Sequence, residues 1–136
     1  ISPVTIAGQE ISGNWEMYQL PMSEVPDFSN MGRNAFNNGT SQANRLKDCP
    51  VLYEGTFTLD ETGDTFIDME AWGKGIIFVN GHNIGRYWKV GPQQTLYIPG
   101  VWLNKGENKI VIFEQLNETP MTEVKTVKVP VLTNLK

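Results

Sequence analysis

Aromatic and polar side chains of the kind that bind carbohydrate are concentrated in one stretch of the sequence. An aromatic ring packs against the apolar C–H face of a pyranose, while amide and guanidinium groups hydrogen-bond to its hydroxyls. The residues that form this candidate carbohydrate site are Trp72, Asn80, His82, Arg86, Tyr87, Trp88 and Trp102. Because large aromatic residues are highly buried on average, the favoured interpretation is that these rings fill a core or pack on a neighbouring domain.

The carboxylates of the sequence give no convincing catalytic pair. Hydrolysis of a glycosidic bond ordinarily needs two carboxylates that face each other across the bond in an enclosing cleft. Asp68 and Glu70 point away from the apolar side of a predicted strand, and Glu54 lies on the polar face of another. We therefore expect all three to be solvated surface groups. His82, the single histidine, follows a predicted turn, and no motif supplies a Ser or Cys nucleophile for it to activate.

A metal site has one weak candidate, the acidic turn that holds Asp60, Glu61 and Asp64. Carboxylates within one turn could supply the hard oxygen ligands that calcium prefers. Their spacing matches no defined calcium loop, so an ordinary acidic turn is the favoured interpretation and no metal site is predicted. No cofactor is predicted either.

The overall charge argues against nucleic acid and membranes as partners. The chain of 136 residues has a formal net charge of −4, whereas nucleic acids and anionic membranes attract basic surfaces. No apolar run approaches the roughly 20 residues needed to span a bilayer. Cys49 is the single cysteine, so it cannot form an internal disulfide that would indicate the compartment. The start at Ile1, with neither an initiator methionine nor a signal peptide, suggests a piece of a longer protein.

Short strands separated by turns must carry these side chains. Apolar and polar residues alternate from Val51 to Leu59 and again over residues 67–71, which predicts two half-buried strands that pair as antiparallel neighbours. Residues 76–79 lead into Asn80-Gly81, the dipeptide best suited to a two-residue hairpin turn. Further strands are predicted at residues 96–98, 110–113 and 124–131. With no convincing amphipathic helix, this pattern predicts an all-β fold, a β-sandwich or jelly roll.

Two segments depart from this pattern. Residues 32–48, from Gly32 to Asp48, are too polar for a core strand and form a long loop, which in a compact domain is usually functional or mobile. The segment around Trp15, Met17, Tyr18 and Leu20 has apolar residues on both sides. It fits a strand that is buried on both faces.

One run of sequence closely resembles a signature of family 35 β-galactosidases. The run AWGKGIIFVNGHNIGRYW occupies residues 71–88, and in that family it lies in a C-terminal galactose-binding-like jelly roll. The resemblance continues through residues 91–99, 102–103, 106–108 and 110–114, and upstream through residues 15–20 and 53–57. It covers most of the chain, while residues 32–48 and those beyond Glu118 are unmatched.

The resemblance implies a single galactose-binding-like β-sandwich domain, residues 1–136, that is a fragment of a larger β-galactosidase. In such a parent, two glutamates of an (α/β)8 barrel remove terminal β-D-galactosyl residues with retention, and this sequence has no counterpart of that barrel. We therefore expect a non-catalytic accessory domain that packs on the barrel of the same parent chain. Two alternatives stay open, a carbohydrate-binding module for galactoside glycans and a module for a domain or oligomer interface. The resemblance favours a periplasmic or secreted parent.

The glycines of the signature predict its local shape. Gly73 and Gly75 predict a bend or a close approach of the backbone to its neighbours. Gly85 is expected to let the returning strand bend, so that Tyr87 and Trp88 fold across the end of the sandwich.

Overall fold

The computed structural model describes residues 3–11, 13, 15–19, 21–25, 50–116, 121 and 123–132. The strands in these ranges are β1 Thr5–Ile6, β2 Gln9–Glu10, β3 Val51–Leu59, β4 Thr65–Asp68, β5 Lys74–Val79, β6 His82–Trp88, β7 Thr95–Ile98, β8 Gly106–Glu114 and β9 Lys125–Val127. One 3-10 turn, Gly100–Trp102, precedes β8. No helix in the described part of the chain is long and apolar enough to cross a membrane.

Two antiparallel sheets make up the body of the domain. The strand order is β3-β8-β5-β6 in the larger sheet and β7-β4-β9 in the smaller one. The short strands β1 and β2 pair with each other in a separate two-stranded sheet. Side chains from the two larger sheets form one shared core. The predicted all-β sandwich is therefore confirmed.

Alternate side chains of both sheets fill this core. The larger sheet contributes Ile77, Val79, Tyr87 and Ile112, the smaller sheet contributes Ile67, Leu96 and Ile98, and the connections contribute Met69, Trp72 and Leu103. Full removal of one such apolar side chain from water stabilises the fold by about 1.5–3 kcal/mol. The alternation of apolar and polar residues in the sequence therefore indicates which face of each strand meets the opposite sheet.

The alternation from Val51 to Leu59 is confirmed, because β3 covers this range and exposes Glu54 and its threonines. The predicted pairing of this strand with the next one is wrong. β3 pairs along its length with β8, whereas β4 pairs with β7 and β9. The acidic turn between β3 and β4 therefore crosses from one sheet to the other. A period of two identifies the buried face of a strand but not its neighbour.

The hairpin predicted at Asn80-Gly81 is confirmed between β5 and β6. Asn80 and Gly81 have φ angles of 50° and 85°, as a type I′ turn requires. Shortly after the turn, Ile84 is an extra residue in β6, because the pairing of β5 with β6 shifts there by one residue. Gly85 has a φ of 130°, a conformation that favours glycine, and a bulge of this kind bends a strand as predicted.

The segments that departed from the strand pattern have different outcomes. Residues 32–48, together with Cys49, lie outside the described residues. The prediction of a strand buried on both faces is wrong, because Trp15, Met17 and Tyr18 lie outside any strand and are exposed. Leu20 is not among the described residues. The last predicted strand is shorter than expected, since β9 covers Lys125–Val127.

Candidate functional site

A buried carboxylate, Glu114, lies against the start of the signature. Its Oε1 atom accepts hydrogen bonds from the backbone amides of Lys74 (2.9 Å) and Leu116 (2.8 Å). Its Oε2 atom accepts hydrogen bonds from the backbone amide of Gly73 (2.9 Å) and the hydroxyl of Tyr87 (3.2 Å). Glu114 is only 2% exposed. The carboxylate therefore acts as a structural acceptor that ties β8 to the start of β5 and to β6.

The glycines at the start of β5 leave room for this arrangement. A Cβ atom at Gly75 would overlap the carbonyl of Phe113 and the hydroxyl of Tyr87. A Cβ atom at Gly73 would lie 2.8 Å from the carbonyl of Leu116. The close approach predicted from these two glycines is therefore confirmed.

Two of the predicted carbohydrate residues, Trp72 and Tyr87, belong to the core. They are 3% and 2% exposed, and their rings meet edge to face with centroids 6.4 Å apart. Tyr53 meets Trp72 in the same manner at 5.2 Å. Burial, reinforced by the Glu114 carboxylate, raises the pKa of Tyr87 far above its ordinary value. With both rings enclosed by protein, neither presents a face on which a sugar could stack.

The side chain of Asn80 is engaged within the protein. Its Nδ2 atom donates to the carbonyl of Trp102 (2.7 Å) and to Oδ1 of Asn108 (2.8 Å), and its Oδ1 accepts from the amide of Lys109 (2.9 Å). Asn108 is buried and exchanges hydrogen bonds with the backbone of Asn104 at 2.7 and 2.8 Å. This network joins the β5–β6 turn to the 3-10 turn and to β8.

Arg86 and Trp88 lie on the outer face of the larger sheet, away from the core. Trp88 is 44% exposed, and the Nζ atom of Lys74 lies 4.6 Å from its ring centre. Tyr87 points to the opposite face of β6, so the prediction that Tyr87 and Trp88 fold together across the end of the sandwich is wrong. A ligand can therefore reach the Trp88 ring, which has a cation beside it.

His82 and Trp102 form a stacked pair beside the β5–β6 turn. Their ring centroids are 4.6 Å apart and their planes differ by 10°. His82 is exposed and Trp102 is partly buried. The seven predicted carbohydrate residues are therefore divided among the core, the turn network, the outer face of β6 and this stack, and they do not form one site.

The acidic turn between β3 and β4 has a structural role. Asp64 accepts a hydrogen bond from the amide of Gly100 (2.8 Å), and this bond, with a second from the hydroxyl of Tyr97, holds the pKa of Asp64 below its ordinary value. Within the described ranges, no group of three or more His, Cys, Asp or Glu residues could hold a metal ion. Asp60, Glu61 and Asp64 are thus not gathered as calcium ligands.

A cleft of about 320 Å³ lies beside β4 and β9. Its lining includes Asp68, Glu70, Trp72, Met121, Glu123 and Lys125. Asp68 accepts a hydrogen bond from the amide of Glu70 at 2.9 Å. Both residues are partly exposed, whereas Ile67 and Met69 next to them are buried, so Asp68 and Glu70 point away from the core as expected. Glu54 is exposed as expected and pairs with Lys109 at 2.9 Å.

Part of this chain matches a known protein family. Residues 50–108 match the family model described as β-galactosidase, galactose-binding domain. These residues belong to that family. All seven candidate carbohydrate residues fall inside the matched range, as does the complete β5–β6 hairpin.

The relatives of this galactose-binding domain are much longer proteins. Beta-galactosidase 1 of Dictyostelium discoideum is 38% identical over 133 residues, which cover 96% of this chain and 19% of that protein. Beta-galactosidase 17 of Arabidopsis thaliana is 35% identical over 136 residues, covering 91% and 19%. The human Beta-galactosidase-1-like protein 2 is 46% identical over 72 residues, covering 52% and 11%. The chain therefore spans no more than a fifth of the length of these relatives.

Sequence reasoning missed two fully enclosed polar groups, Glu114 and Asn108. A signal for both was present, because residues 108, 110, 112 and 114 share one face of a strand and Ile110 and Ile112 are apolar. The alternation of side chains along β8 therefore places the Asn108 amide and the Glu114 carboxylate on the core side. Buried polar groups of this kind require hydrogen-bonding partners, and the glycine-rich start of β5 supplies them for Glu114.

Proposed function

We propose that this chain is a non-catalytic accessory domain of a family 35 β-galactosidase, in which it packs on the catalytic (α/β)8 barrel and supports it. The parent enzyme hydrolyses terminal β-D-galactosyl residues, and the barrel of the same chain is the main partner of the domain. The family match over residues 50–108 supports this proposal. So do relatives named β-galactosidase, of which this chain spans about a fifth.

The observation that carries the proposal is that the signature is directed into the protein. Trp72 and Tyr87 fill the core, Asn80 joins three elements, and Glu114 binds the backbone of the signature. These bonds hold the hairpin against β8. A rigid sandwich is what a supporting role needs, since it must present a constant surface to its neighbour.

Three of the described acids, Glu114, Asp68 and Glu70, give no support to catalysis by this chain itself. Glu114 is 2% exposed and accepts four hydrogen bonds, so a substrate does not reach it. Asp68 and Glu70 are two residues apart, and Asp68 is bonded to the Glu70 amide. A hydrolytic pair must instead face each other across the scissile bond.

Deletion of the domain from the full-length parent enzyme tests this proposal. We expect the shortened enzyme to have a lower Tm and a lower rate of nitrophenyl β-D-galactoside hydrolysis, because the barrel loses the surface that supports it. We also expect no hydrolysis by the 136-residue chain, assayed after circular dichroism has shown that it is folded. A shortened enzyme with the Tm and rate of the parent, or hydrolysis by the chain alone, would contradict the proposal.

A second candidate function, binding of galactoside glycans, is favoured by the outer face of β6. The Trp88 ring is 44% exposed there, with the Nζ atom of Lys74 4.6 Å from its centre, and Arg86 lies two residues earlier on the same face. A proton–nitrogen NMR titration with galactose, lactose and a β-galactan oligosaccharide separates the two functions, with the buried Trp72 indole as an internal control. Saturable shifts of the Trp88 or Trp102 indole would favour glycan binding. Unchanged indole signals at high millimolar sugar are expected for a supporting domain.

A further inference from the structure

Three large apolar side chains are exposed close together ahead of the sandwich. Trp15 is 65% exposed, Met17 is 86% exposed and Tyr18 is 84% exposed. Single exposed apolar residues are common on protein surfaces, whereas neighbouring ones indicate a contact surface. We call these three residues, two aromatic residues and the methionine between them, the aromatic strip.

Among the described residues near the aromatic strip, β1 and β2 pair with each other and with neither sheet of the sandwich. The hairpin of β1 and β2 forms a separate sheet and is closed by a hydrogen bond from the amide of Ile11 to the carbonyl of Val4. The Tyr18 hydroxyl donates to Glu16 at 2.7 Å. Further along, Asn83 of β6 donates to the carbonyl of Met22 at 2.7 Å. The chain is thus bonded to the sandwich beyond the strip, while the strip itself faces outward.

The strip lies in a part of the chain that the galactose-binding domain model does not match. The galactose-binding domain model begins at residue 50, so it does not include the strip. The match to Beta-galactosidase 1 of Dictyostelium discoideum nevertheless covers 96% of this chain, so it extends far beyond that model. The strip therefore lies outside the galactose-binding domain model, in an N-terminal part of the chain that a longer β-galactosidase largely matches.

We propose that the aromatic strip is a docking element that packs into an apolar groove on the rest of the parent β-galactosidase chain. This inference rests on the proposed function, because it names the surface through which the accessory domain is held. On this inference, the surface that covers the strip lies in the part of the parent outside these 136 residues, and relatives named β-galactosidase are about five times as long as this chain. Aromatic anchors seated in pockets dominate the stability of most protein interfaces.

The test places the same substitutions in two contexts. Trp15→Ser, Met17→Ser and Tyr18→Ser are combined, and separately Tyr18→Ser alone, in the full-length parent enzyme and in the 136-residue chain. Val101→Ser is the matched control, because Val101 is 90% exposed and lies on the 3-10 turn. Thermal unfolding is measured in both contexts, and the oligomeric state of the 136-residue chain is measured by light scattering.

We expect the triple variant to lower the Tm of the parent by at least about 3 °C and to change that of the 136-residue chain by less than about 1 °C. Val101→Ser should change neither. Equal losses in both contexts would mean that the strip packs on its own sandwich, and no loss in either would mean that it docks nowhere. A dimer of the 136-residue chain that the variant dissociates would assign the strip to a second copy. Each of these three results overturns the inference, whereas the proposed function is decided separately by the domain deletion.

Discussion

Glu114 joins segments that are distant in the chain. Its four donors come from the start of β5, from β6 and from the residues directly after β8. A carboxylate suits this position because both of its oxygens accept hydrogen bonds. A buried donor that loses its acceptor costs more free energy than the hydrogen bond contributed, because water cannot replace the partner. Glu114 thus holds the start of the signature and Tyr87 against the end of β8.

Replacement of this acceptor should destabilise the domain. Glu114→Gln puts an amide nitrogen against backbone or hydroxyl donors, so we expect the free energy of unfolding to fall by about 2–3 kcal/mol. The control is Glu54→Gln, since Glu54 forms an exposed pair with Lys109 and its loss should cost less than about 1 kcal/mol. Urea unfolding followed by tryptophan fluorescence measures both. Equal stability of the two variants would show that Glu114 is not structurally important.

Tyr87 predicts how stability changes at high pH. Its pKa is raised in the folded protein by burial and by Glu114, so above pH 10 the unfolded chain releases the proton while the folded chain keeps it. The unfolded state then binds fewer protons, and the free energy of unfolding falls as pH rises, by up to about 1.4 kcal/mol per pH unit for one tyrosine.

The variant Tyr87→Phe isolates this contribution. It has no hydroxyl to titrate, so above pH 10 its stability should fall less steeply with pH than that of the unchanged protein. Tyr53 and Tyr97, whose pKa values are also raised, act in the same direction in both proteins and cancel in the comparison. Urea unfolding between pH 8 and 11 measures the slopes, and identical slopes would contradict the assignment.

At the level of elements, the β5–β6 hairpin is the feature that the sequence predicted best. Asn80-Gly81 specified the turn because few other residue pairs adopt two consecutive positive φ angles without strain. The Asn80 side chain added what local pattern does not reveal, the bonds to Trp102, Asn108 and Lys109. Those partners are 22 to 29 residues away, so they became visible only once the sheets were assembled.

Substitution in this turn should separate backbone strain from crowding. Gly81→Val places a β-branched residue at a φ of 85° where no atom lies within 4 Å of the new Cβ, so the expected loss of about 1–3 kcal/mol comes from the backbone alone. Gly63→Val is the matched control, because Gly63 is equally unobstructed and does not have a positive φ. Thermal unfolding of both variants measures the difference. A Gly81→Val protein as stable as the Gly63→Val protein would contradict the turn assignment.

For the whole molecule, the alternation of residue types predicted the layers but not their connections. The buried face of β3 and the sandwich class followed from the sequence, whereas the crossing between β3 and β4 did not, since a strand pattern carries no information about its partner. The candidate site was harder to predict. Trp72 lies just before β5 and Trp88 ends β6, so both are at the open end of the same hairpin. Trp72 is nevertheless enclosed and Trp88 is exposed.

The separation of buried residues from solvent-exposed residues in the β5–β6 hairpin also affects how the domain can evolve. Gly75, where a Cβ atom would overlap its neighbours, and Tyr87, which is hydrogen-bonded to Glu114, tolerate few substitutions. This constraint holds whether or not the protein binds a sugar. The outward positions at Arg86 and Trp88 face solvent and carry no such constraint. Mutation can therefore give this sandwich a new recognition surface while the hydrogen bonds that hold its sheets together stay unchanged.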